Sequence, residues 1–336
     1  MSTDRTTELR NTALELVGHR RGILAADESP ATMSKRLEGA GVEPTEENRR
    51  VYRELLITAP DLAIGVSGVI LCEETLRQKV SDGRTFPEAC AELGFMAGIK
   101  VDTGVVQLAG AAEGETITQG LDGLDKRLAE FAALGARFAK WRAVIVIGDG
   151  TPTDWALKAN AQALARYARS CQAAGIVPIV EPEVMMDGSH TQKACAEATT
   201  AALTQVFAAL ADAGVDPAGI VLKPNMVVSG LFSGEEITPA EVAAATVEVL
   251  RATVPDDLAG VAFLSGGQPA ETAAANLAAM QQIDTPWPLT FSFGRALVSP
   301  ALEAWHGDDG LVGAGQSALN HHVTANAQNL KGVRVA

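Results

Sequence analysis

The amino-acid sequence predicts a single (β/α)8 TIM barrel of the α/β class, and three observations lead to that prediction. The chain of 336 residues is long for one ordinary domain but lies within the range of about 200 to over 400 residues that such barrels span. Short runs of apolar and β-branched residues alternate with longer alanine-rich stretches, which is the pattern of parallel βα units. Neither a GxGxxG sequence that opens a helix nor a GxxxxGK[ST] loop is present, so nothing favours a doubly wound nucleotide-binding sheet.

Eight runs have the composition of buried strands and are spaced along the chain. They are Gly22–Asp27, Leu62–Leu71, Ala97–Asp102, Phe138–Ile145, Val177–Val184, Ile220–Met226, Val261–Gly266 and Leu289–Arg295. Amphipathic helices are predicted between them. The clearest are Gly123–Leu134, Trp155–Ala174, His190–Ala213, Pro239–Thr253 and Pro269–Gln281.

The remaining stretches are expected to extend this one unit, residues 1–336, without adding a second domain. An N-terminal helix is predicted over about residues 4–18, and a C-terminal tail over about residues 303–336. The polar stretch Gly104–Gly123 is expected to be a long connection within the barrel. The charge run Glu46–Arg53 is expected to be a solvated helix face with ion pairs three and four residues apart.

Composition and charge exclude several classes of function. Lys and Arg number 27 against 41 Asp and Glu, a net charge of −14, which disfavours nucleic acid or an anionic membrane as a partner. The histidines lack HxxxH or HxH spacing and the cysteines lack CxxC spacing, so no metal site or disulfide framework is predicted. The N-terminus has no apolar signal core, and no apolar run approaches the roughly 20 residues of a membrane span. We expect a cytoplasmic protein.

Charged residues fall near the C-terminal ends of the predicted strands. Where two share a strand they are two positions apart, so both side chains point to the same face, which in a barrel is the interior. Enzymes with this fold hold their active sites at that end of the barrel. The charged residues at this end are Asp27, Lys100, Asp102, Lys140, Arg142, Glu181, Glu183, Lys223 and Arg295.

Lys223 lies within an otherwise apolar segment, GIVLKPNMVVSG. Read as a strand, this segment places Val221, Lys223 and Asn225 on one face, towards the interior. A buried ammonium must be neutralised, paired or used in chemistry. A lysine that loses its proton can attack a carbonyl as a Schiff-base nucleophile. Judged from this segment alone, a structural lysine that forms a salt bridge with a neighbour is the alternative interpretation.

Two loops near the end of the chain have the composition of an anion site. LSGG follows the seventh predicted strand, and FSFGR ends the eighth. Each supplies a hydroxyl group and glycine amides that can approach an oxyanion closely. Barrels frequently bind phosphate at this pair of loops, and Arg295 would add a bidentate guanidinium.

These segments together resemble the class I, metal-independent fructose-bisphosphate aldolases. The similar segments, in the family's order, are GILAADES, TEENRR, GIKVD, ITQGLDGL, FAKWR, GIVPIVEPE, VLKPNMV, FLSGGQ and FSFGRAL. The resemblance implies a (β/α)8 barrel that reversibly cleaves fructose 1,6-bisphosphate to dihydroxyacetone phosphate and glyceraldehyde 3-phosphate in glycolysis and gluconeogenesis. It implies a covalent lysine imine in place of any metal or cofactor, sugar phosphates as ligands and a homo-oligomer, with a tetramer favoured.

The resemblance also implies roles for single residues. Lys223 would form the imine with C2 of the ketose, and Glu181 would shuttle protons as the carbinolamine forms and dehydrates. Asp27 would act on the C4 hydroxyl, Lys140 would add positive charge beside the nucleophile, and Glu183 would orient the network. The C1 phosphate would contact Ser265, Gly266, Gly267, Ser292, Gly294 and Arg295. The region of the C6 phosphate and hydroxyls corresponds more loosely to Ser29, Thr32, Lys35, Arg36, Lys100 and Arg142.

Some residues depart from the family pattern. Eukaryotic members end in a tyrosine that assists proton exchange, whereas this chain ends KGVRVA, so we expect Glu181 and water to handle that step. Phe293 and Thr32 replace a hydroxylated aromatic residue and a serine. Two alternatives stay open at this point: an aldolase for another ketose, such as fructose 1-phosphate or sedoheptulose 1,7-bisphosphate, and a non-catalytic barrel that binds sugar phosphates or proteins.

Overall fold

Eight parallel strands close into a barrel in the computed structural model, which describes residues 3–331. The strands are β1 (Gly22–Ala26), β2 (Val66–Leu71), β3 (Met96–Lys100), β4 (Phe138–Ile145), β5 (Val177–Val184), β6 (Val221–Leu222), β7 (Gly260–Phe263) and β8 (Leu289–Phe293). Each strand pairs with the next along the chain, and β8 closes onto β1 through Ile23 opposite Ser292. The predicted (β/α)8 barrel is confirmed.

Helices cover the outside and one end of this barrel. They are α1 (Thr3–Val17), α2 (Pro30–Gly39), α3 (Glu46–Ile57), α4 (Leu62–Gly65), α5 (Glu73–Arg77), α6 (Phe86–Glu92), α7 (Leu124–Ala133), α8 (Asp154–Ala174), α9 (Gln192–Asp212), α10 (Pro239–Thr253), α11 (Ala270–Met280), α12 (Arg295–Trp305) and α13 (Val312–Ala327). Several begin after a Ser or Thr whose side-chain oxygen accepts from a backbone N–H of the first turn, which fixes where the helix starts. These capping residues are Ser29, Thr45, Thr85, Thr153, Thr191 and Thr238.

Six of the eight predicted strands have different bounds in the structure, and the physical reason is clearest for three of them. The run Leu62–Leu71 begins as helix α4, because a short apolar run does not distinguish a buried helix from a strand. The run Ile220–Met226 keeps only Val221–Leu222 as strand, since Pro224 has no N–H to continue the ladder. The run Leu289–Arg295 ends at Phe293, two residues before α12 begins.

The long connection and the tail also contain structure that the sequence reading did not specify. A two-stranded antiparallel hairpin, Val105–Gln107 with Thr116–Thr118, lies within the predicted connection Gly104–Gly123. The predicted tail is mostly α13, which packs against α12. Its last five residues, 332–336, lie outside the described residues.

Apolar packing closes the N-terminal end of the barrel. Leu9, Leu16 and Val17 of α1 pack against Phe138 and Val221 inside the barrel. A larger apolar layer lies between the strands and the outer helices. The charged side chains predicted for the site lie at the opposite end. Among the described helices, α9 alone is long and apolar enough to cross a membrane by length and composition; in the barrel it packs against α8 and α10.

Phe138 fills the barrel interior only because two neighbouring strands carry glycine. A Cβ added at Gly98 would lie 2.2 Å from a ring carbon of Phe138, and one added at Gly68 would lie 2.8 Å from the same ring. Both distances are too short for real carbon atoms. The missing side chains of Gly98 and Gly68 are thus part of the core packing.

Replacing Gly98 with alanine should overpack this core and lower the free energy of unfolding by roughly 1–3 kcal/mol. Urea unfolding followed by circular dichroism would measure the change. Gly39→Ala is the matched control, because nothing lies within 4 Å of an added Cβ at the end of α2. Equal stability of the two variants would contradict this account of the core.

Candidate active site

Four charged side chains meet inside the C-terminal part of the barrel, two from within β4 and β5 and two from directly after β1 and β6. Nζ of Lys140 lies 2.7 Å from Oδ2 of Asp27 and 3.3 Å from Oε2 of Glu181. Nζ of Lys223 lies 3.0 Å from Oε1 of the same Glu181. The two lysines and Glu181 are buried, and the Asp27 side chain is 14% exposed. This structure brings together four of the five residues predicted to be catalytic, which we call the central ion cluster.

The lysines keep both carboxylates of the cluster ionised. Burial opposes ionisation of Asp27, but the charges of Lys140 and Lys223 outweigh it and lower the pKa of Asp27 to about 2. Burial likewise opposes ionisation of Glu181, and Lys140, Lys223 and Arg142 together lower its pKa. Burial disfavours the charged form of Lys140, yet Asp27 and Glu181 raise its pKa above the ordinary value.

Lys223 is the first residue after β6 and continues the geometry of that strand for one step. Its backbone N–H donates to the Val180 carbonyl over 2.8 Å, so its side chain points inwards like that of Val221. The chain then departs from strand geometry. The Asn225 amide nitrogen lies 3.1 Å from the Thr199 hydroxyl on α9, so the prediction that Asn225 faces the interior is wrong.

A second pair of ion pairs lies beside the central ion cluster. Nε of Arg142 donates to a carboxylate oxygen of Glu183, the fifth residue predicted to be catalytic. Nζ of Lys100 lies 2.6 Å from Oδ1 of Asp102 and 2.9 Å from its carbonyl oxygen. Arg142 and Glu183 lie two positions after Lys140 and Glu181 of the cluster, and Lys100 and Asp102 lie two positions apart from each other. Side chains two positions apart in an extended chain point to the same face, so these pairs lie on the same side as the cluster.

A cavity of about 550 Å³ opens onto this charged end of the barrel. Its lining includes Asp27, Ser29, Thr32, Lys100, Lys140 and Arg142. Arg36 instead pairs with Glu28, and Lys35 is absent from the lining given by the described residues. A larger groove of about 1210 Å³ runs along α1 at the opposite end and is lined by none of the predicted site residues in the described part of the chain.

The loop after β7 has the open backbone that an anion site needs. Gly266 and Gly267 adopt positive φ angles of 62° and 97°, and the Arg295 guanidinium packs so closely on Gly267 that an added Cβ would lie 3.2 Å from it. The Leu264 N–H donates to the Pro224 carbonyl over 3.1 Å, which joins this loop to the segment after Lys223. The absence of a side chain at Gly267 leaves room for the Arg295 guanidinium beside the loop.

Two other residues predicted for this loop region have different surroundings. Ser292 is buried, and its hydroxyl oxygen finds no hydrogen-bond partner among the described residues. Gly294 precedes α12, and its carbonyl accepts from the backbone N–H of Leu297 over 2.8 Å.

Sequence reasoning missed a buried ion pair behind Asp27. Arg53 is 2% exposed and pairs with Glu28 over 2.9 Å, so the prediction that the whole run Glu46–Arg53 is solvated is wrong for this residue. The apolar neighbours of Arg53 on one face of α3 are the signal that could have indicated its burial. Arg50 does form the predicted surface pairs, with Glu47 and Glu54.

Within residues 3–331, no group of three or more His, Cys, Asp or Glu side chains is arranged to hold a metal ion. The charged end of the barrel instead offers lysine nitrogens beside carboxylates. This arrangement can supply a nucleophile, a proton acceptor and positive charge for an anionic ligand.

Comparison with known proteins gives one consistent result. The family model "Fructose-bisphosphate aldolase class-I" matches residues 8–334. A "Probable fructose-bisphosphate aldolase class 1" of Xanthomonas campestris pv. campestris is 51% identical over 302 residues, 90% of each chain. A "Fructose-bisphosphate aldolase" of Drosophila melanogaster is 50% identical over 98% of this chain and 91% of its own.

The fold agrees with these sequence matches. A solved structure of fructose-bisphosphate aldolase from Plasmodium falciparum, in complex with TRAP and a small-molecule inhibitor, superposes with a TM-score of 0.96 at 44% identity. The match covers 99% of this chain and 98% of that chain. The chain belongs to the class I fructose-bisphosphate aldolase family.

Proposed function

We propose that this chain reversibly cleaves fructose 1,6-bisphosphate to dihydroxyacetone phosphate and glyceraldehyde 3-phosphate through an imine on Lys223. Its family membership supports this carbon–carbon lyase activity in glycolysis and gluconeogenesis. The observation that carries the assignment to Lys223 is the 3.0 Å contact of its Nζ with Oε1 of Glu181, at the buried end of the barrel. A lysine beside a carboxylate has a proton acceptor within reach.

Imine formation needs proton transfers at two stages, and Glu181 is placed for both. Ionised Glu181 first takes a proton from Nζ of Lys223, and the free amine attacks C2 of the ketose, which forms a C–N bond while the carbonyl π electrons move to oxygen. A proton then moves from this nitrogen to that oxygen and gives the carbinolamine. The C2 hydroxyl takes the proton back from Glu181 and leaves as water, so that a protonated imine and ionised Glu181 remain. Lys140 keeps positive charge against the other oxygen of Glu181 throughout these steps.

Asp27 is the proposed base for carbon–carbon cleavage. It takes the proton of the C4 hydroxyl while the C3–C4 bond breaks and C4 becomes the aldehyde carbon. The bonding electron pair moves into the imine, which becomes an enamine. Its lowered pKa keeps Asp27 ionised at neutral pH. Protonation at C3 and hydrolysis of the imine release dihydroxyacetone phosphate and regenerate Lys223.

The two phosphates are assigned to opposite sides of the cluster. We assign the C1 phosphate to the loop of Ser265, Gly266 and Gly267, with Arg295 beside it and Ser292 and Gly294 as the weaker members, given their surroundings. The C6 phosphate and hydroxyls are assigned to the cavity lined by Ser29, Thr32, Lys100 and Arg142, with Arg36 at its edge. Glu183 would orient Arg142 towards the substrate through their ion pair.

The wider properties follow from the family and remain part of this proposal. The imine replaces a metal or other cofactor as the electron sink. Residues 1–336 act as one unit, in a cytoplasmic homo-oligomer that we expect to be a tetramer.

Lys223→Met should abolish cleavage of fructose 1,6-bisphosphate while the barrel stays folded, because the imine cannot form. Borohydride reduction with dihydroxyacetone phosphate, in EDTA, should attach one reduced triose phosphate to the unaltered protein at Lys223. Intact mass and peptide mapping would locate it. Lys158→Met is the control, because Lys158 is exposed on α8 and should not affect labelling. Labelling that persists in Lys223→Met would place the nucleophile elsewhere.

Arg295→Ala should lower kcat/KM for fructose 1,6-bisphosphate by about 10- to 100-fold, the usual loss for a charge-assisted hydrogen bond. Unphosphorylated fructose should lose far less. Steady-state kinetics with both substrates would measure the difference, and Arg251→Ala, at the end of α10, serves as the control. Equal losses for both substrates would remove Arg295 from the phosphate site.

The lowered pKa of Asp27 predicts a pH-dependent contribution to stability. Because the folded pKa is about 2 against 3.8 for the free side chain, ionised Asp27 stabilises the fold fully above about pH 4, and the effect disappears as pH falls towards 2. The free energy of unfolding of the unaltered protein should therefore be higher than that of Asp27→Asn by about 2 kcal/mol at pH 6, and by roughly half of that at pH 3. Urea unfolding at each pH would test this. A difference that is constant with pH would contradict the ion-pair account.

A further inference from the structure

The polypeptide on both sides of Asp27 is held by one buried guanidinium group. Nε of Arg53 donates to the Ala26 carbonyl over 2.7 Å, and Nη2 donates to the Glu28 carbonyl over 3.3 Å. Nη2 also donates to Oε2 of Glu28 over 2.9 Å. These contacts begin at Ala26, the last position of β1 that pairs with β2, and continue to Glu28. Arg53 therefore replaces the sheet in fixing the backbone that carries Asp27.

Arg53 is itself fixed by the packing of α3. The neighbouring Tyr52 hydroxyl donates to the Val298 carbonyl of α12 over 2.5 Å, and its ring stacks on Trp305 with centroids 5.7 Å apart. The Arg53 guanidinium lies 5.8 Å from the Tyr52 ring centroid. A helix anchored in this way gives Arg53 a defined place relative to β1.

The arrangement is not what core packing alone would favour. Nη1 of Arg53 is buried without a hydrogen-bond partner among the described residues. Apolar side chains of similar volume often replace a buried ion pair at little or no loss of stability. A buried, incompletely bonded guanidinium at this place is better explained by the two carbonyls that it holds.

We propose that Arg53 is a positioning residue that aims the Asp27 carboxylate at the C4 hydroxyl of the substrate, an inference that rests on the proposed function of Asp27. Arg53 has no described contact with Lys223, Glu181 or Lys140, so it acts on the central ion cluster only through Asp27. Glu28 supports it as the carboxylate shared between Arg53 and Arg36.

The proposal separates two stages of the reaction. Dihydroxyacetone phosphate has no C4 hydroxyl, so the formation of its imine does not need the proposed base Asp27. Cleavage of the hexose does need this base. Displacing the Asp27 backbone should therefore slow cleavage and leave imine formation intact. A merely structural role of Arg53 would lower both, because it would reduce the folded, active fraction.

Arg53→Lys tests this directly, since lysine keeps the charge but cannot reach two carbonyls with a planar fork. We expect kcat for fructose 1,6-bisphosphate cleavage to fall about 30- to 100-fold, as for a catalytic group misplaced by about 1 Å. Borohydride labelling of Lys223 with dihydroxyacetone phosphate should keep the rate of the unaltered protein. Arg50→Lys is the matched control, on the same helix with two glutamate partners and no contact with β1.

Unchanged cleavage, or an equal loss of cleavage and labelling, would overturn the proposal. If Arg53→Lys does not fold, Glu28→Gln takes its place in the same comparison of cleavage with labelling. Because Arg36 also pairs with Glu28 and could change substrate affinity, kcat is then measured at saturating substrate. Asp27→Asn separates the two hypotheses. If it cleaves normally, the role of Asp27 in the proposed function fails; if it is inactive and Arg53→Lys is fully active, only the role of Arg53 fails.

Discussion

The central ion cluster is the constraint on which this end of the barrel depends. Two carboxylates, Asp27 and Glu181, face two lysine nitrogens, so the cluster carries no net charge when all four groups are ionised. Each charge would be unfavourable alone at this depth, because removing one partner of a buried pair leaves an uncompensated charge and typically costs about 3–5 kcal/mol. The four segments that carry these groups must therefore be present together, and the same pairing holds Nζ of Lys223 3.0 Å from a carboxylate oxygen of Glu181.

Strand register decides which charges meet. Arg142 lies opposite Glu181 and Val144 opposite Glu183 across β4 and β5, and Lys100 lies opposite Lys140 across β3 and β4. A slip of one residue would turn each of these side chains to the outer apolar layer, which makes the register strongly specified. Phe138 on β4 supports the register of β2, β3 and β4, because its ring occupies the space that side chains at Gly68 and Gly98 would need. Core packing at one end of the barrel thus contributes to the alignment of Lys100 with Lys140 at the other.

The sequence predicted what depends on strand period and missed what depends on tertiary contact. The strands Phe138–Ile145 and Val177–Val184 have the predicted bounds, because long β-branched runs with charges two apart fit one pattern only. Trp141 faces the outer layer and stacks on Tyr167, as its position between Lys140 and Arg142 indicates. Asn225 was misplaced because the strand ends at Leu222. Arg53 was missed because the charge run was given more weight than the apolar neighbours on α3, and no local pattern identifies Glu28, 25 positions earlier, as its partner.

The helix α3 reinforces a part of the site that strand pairing already brings together. β1 pairs directly with β8, with Leu24 opposite Phe293, so the barrel itself places the end of β1 beside the start of α12. Arg53 holds the end of β1 at Asp27, and the adjacent Tyr52 bonds to Val298 of α12, the helix that begins with Arg295. These two contacts come from neighbouring positions on α3, so this helix braces both segments beyond the last paired residues. Strand pairing and α3 together thus hold the proposed cleavage base and the proposed phosphate arginine, as a substrate of fixed length between its reacting carbon and its phosphate requires.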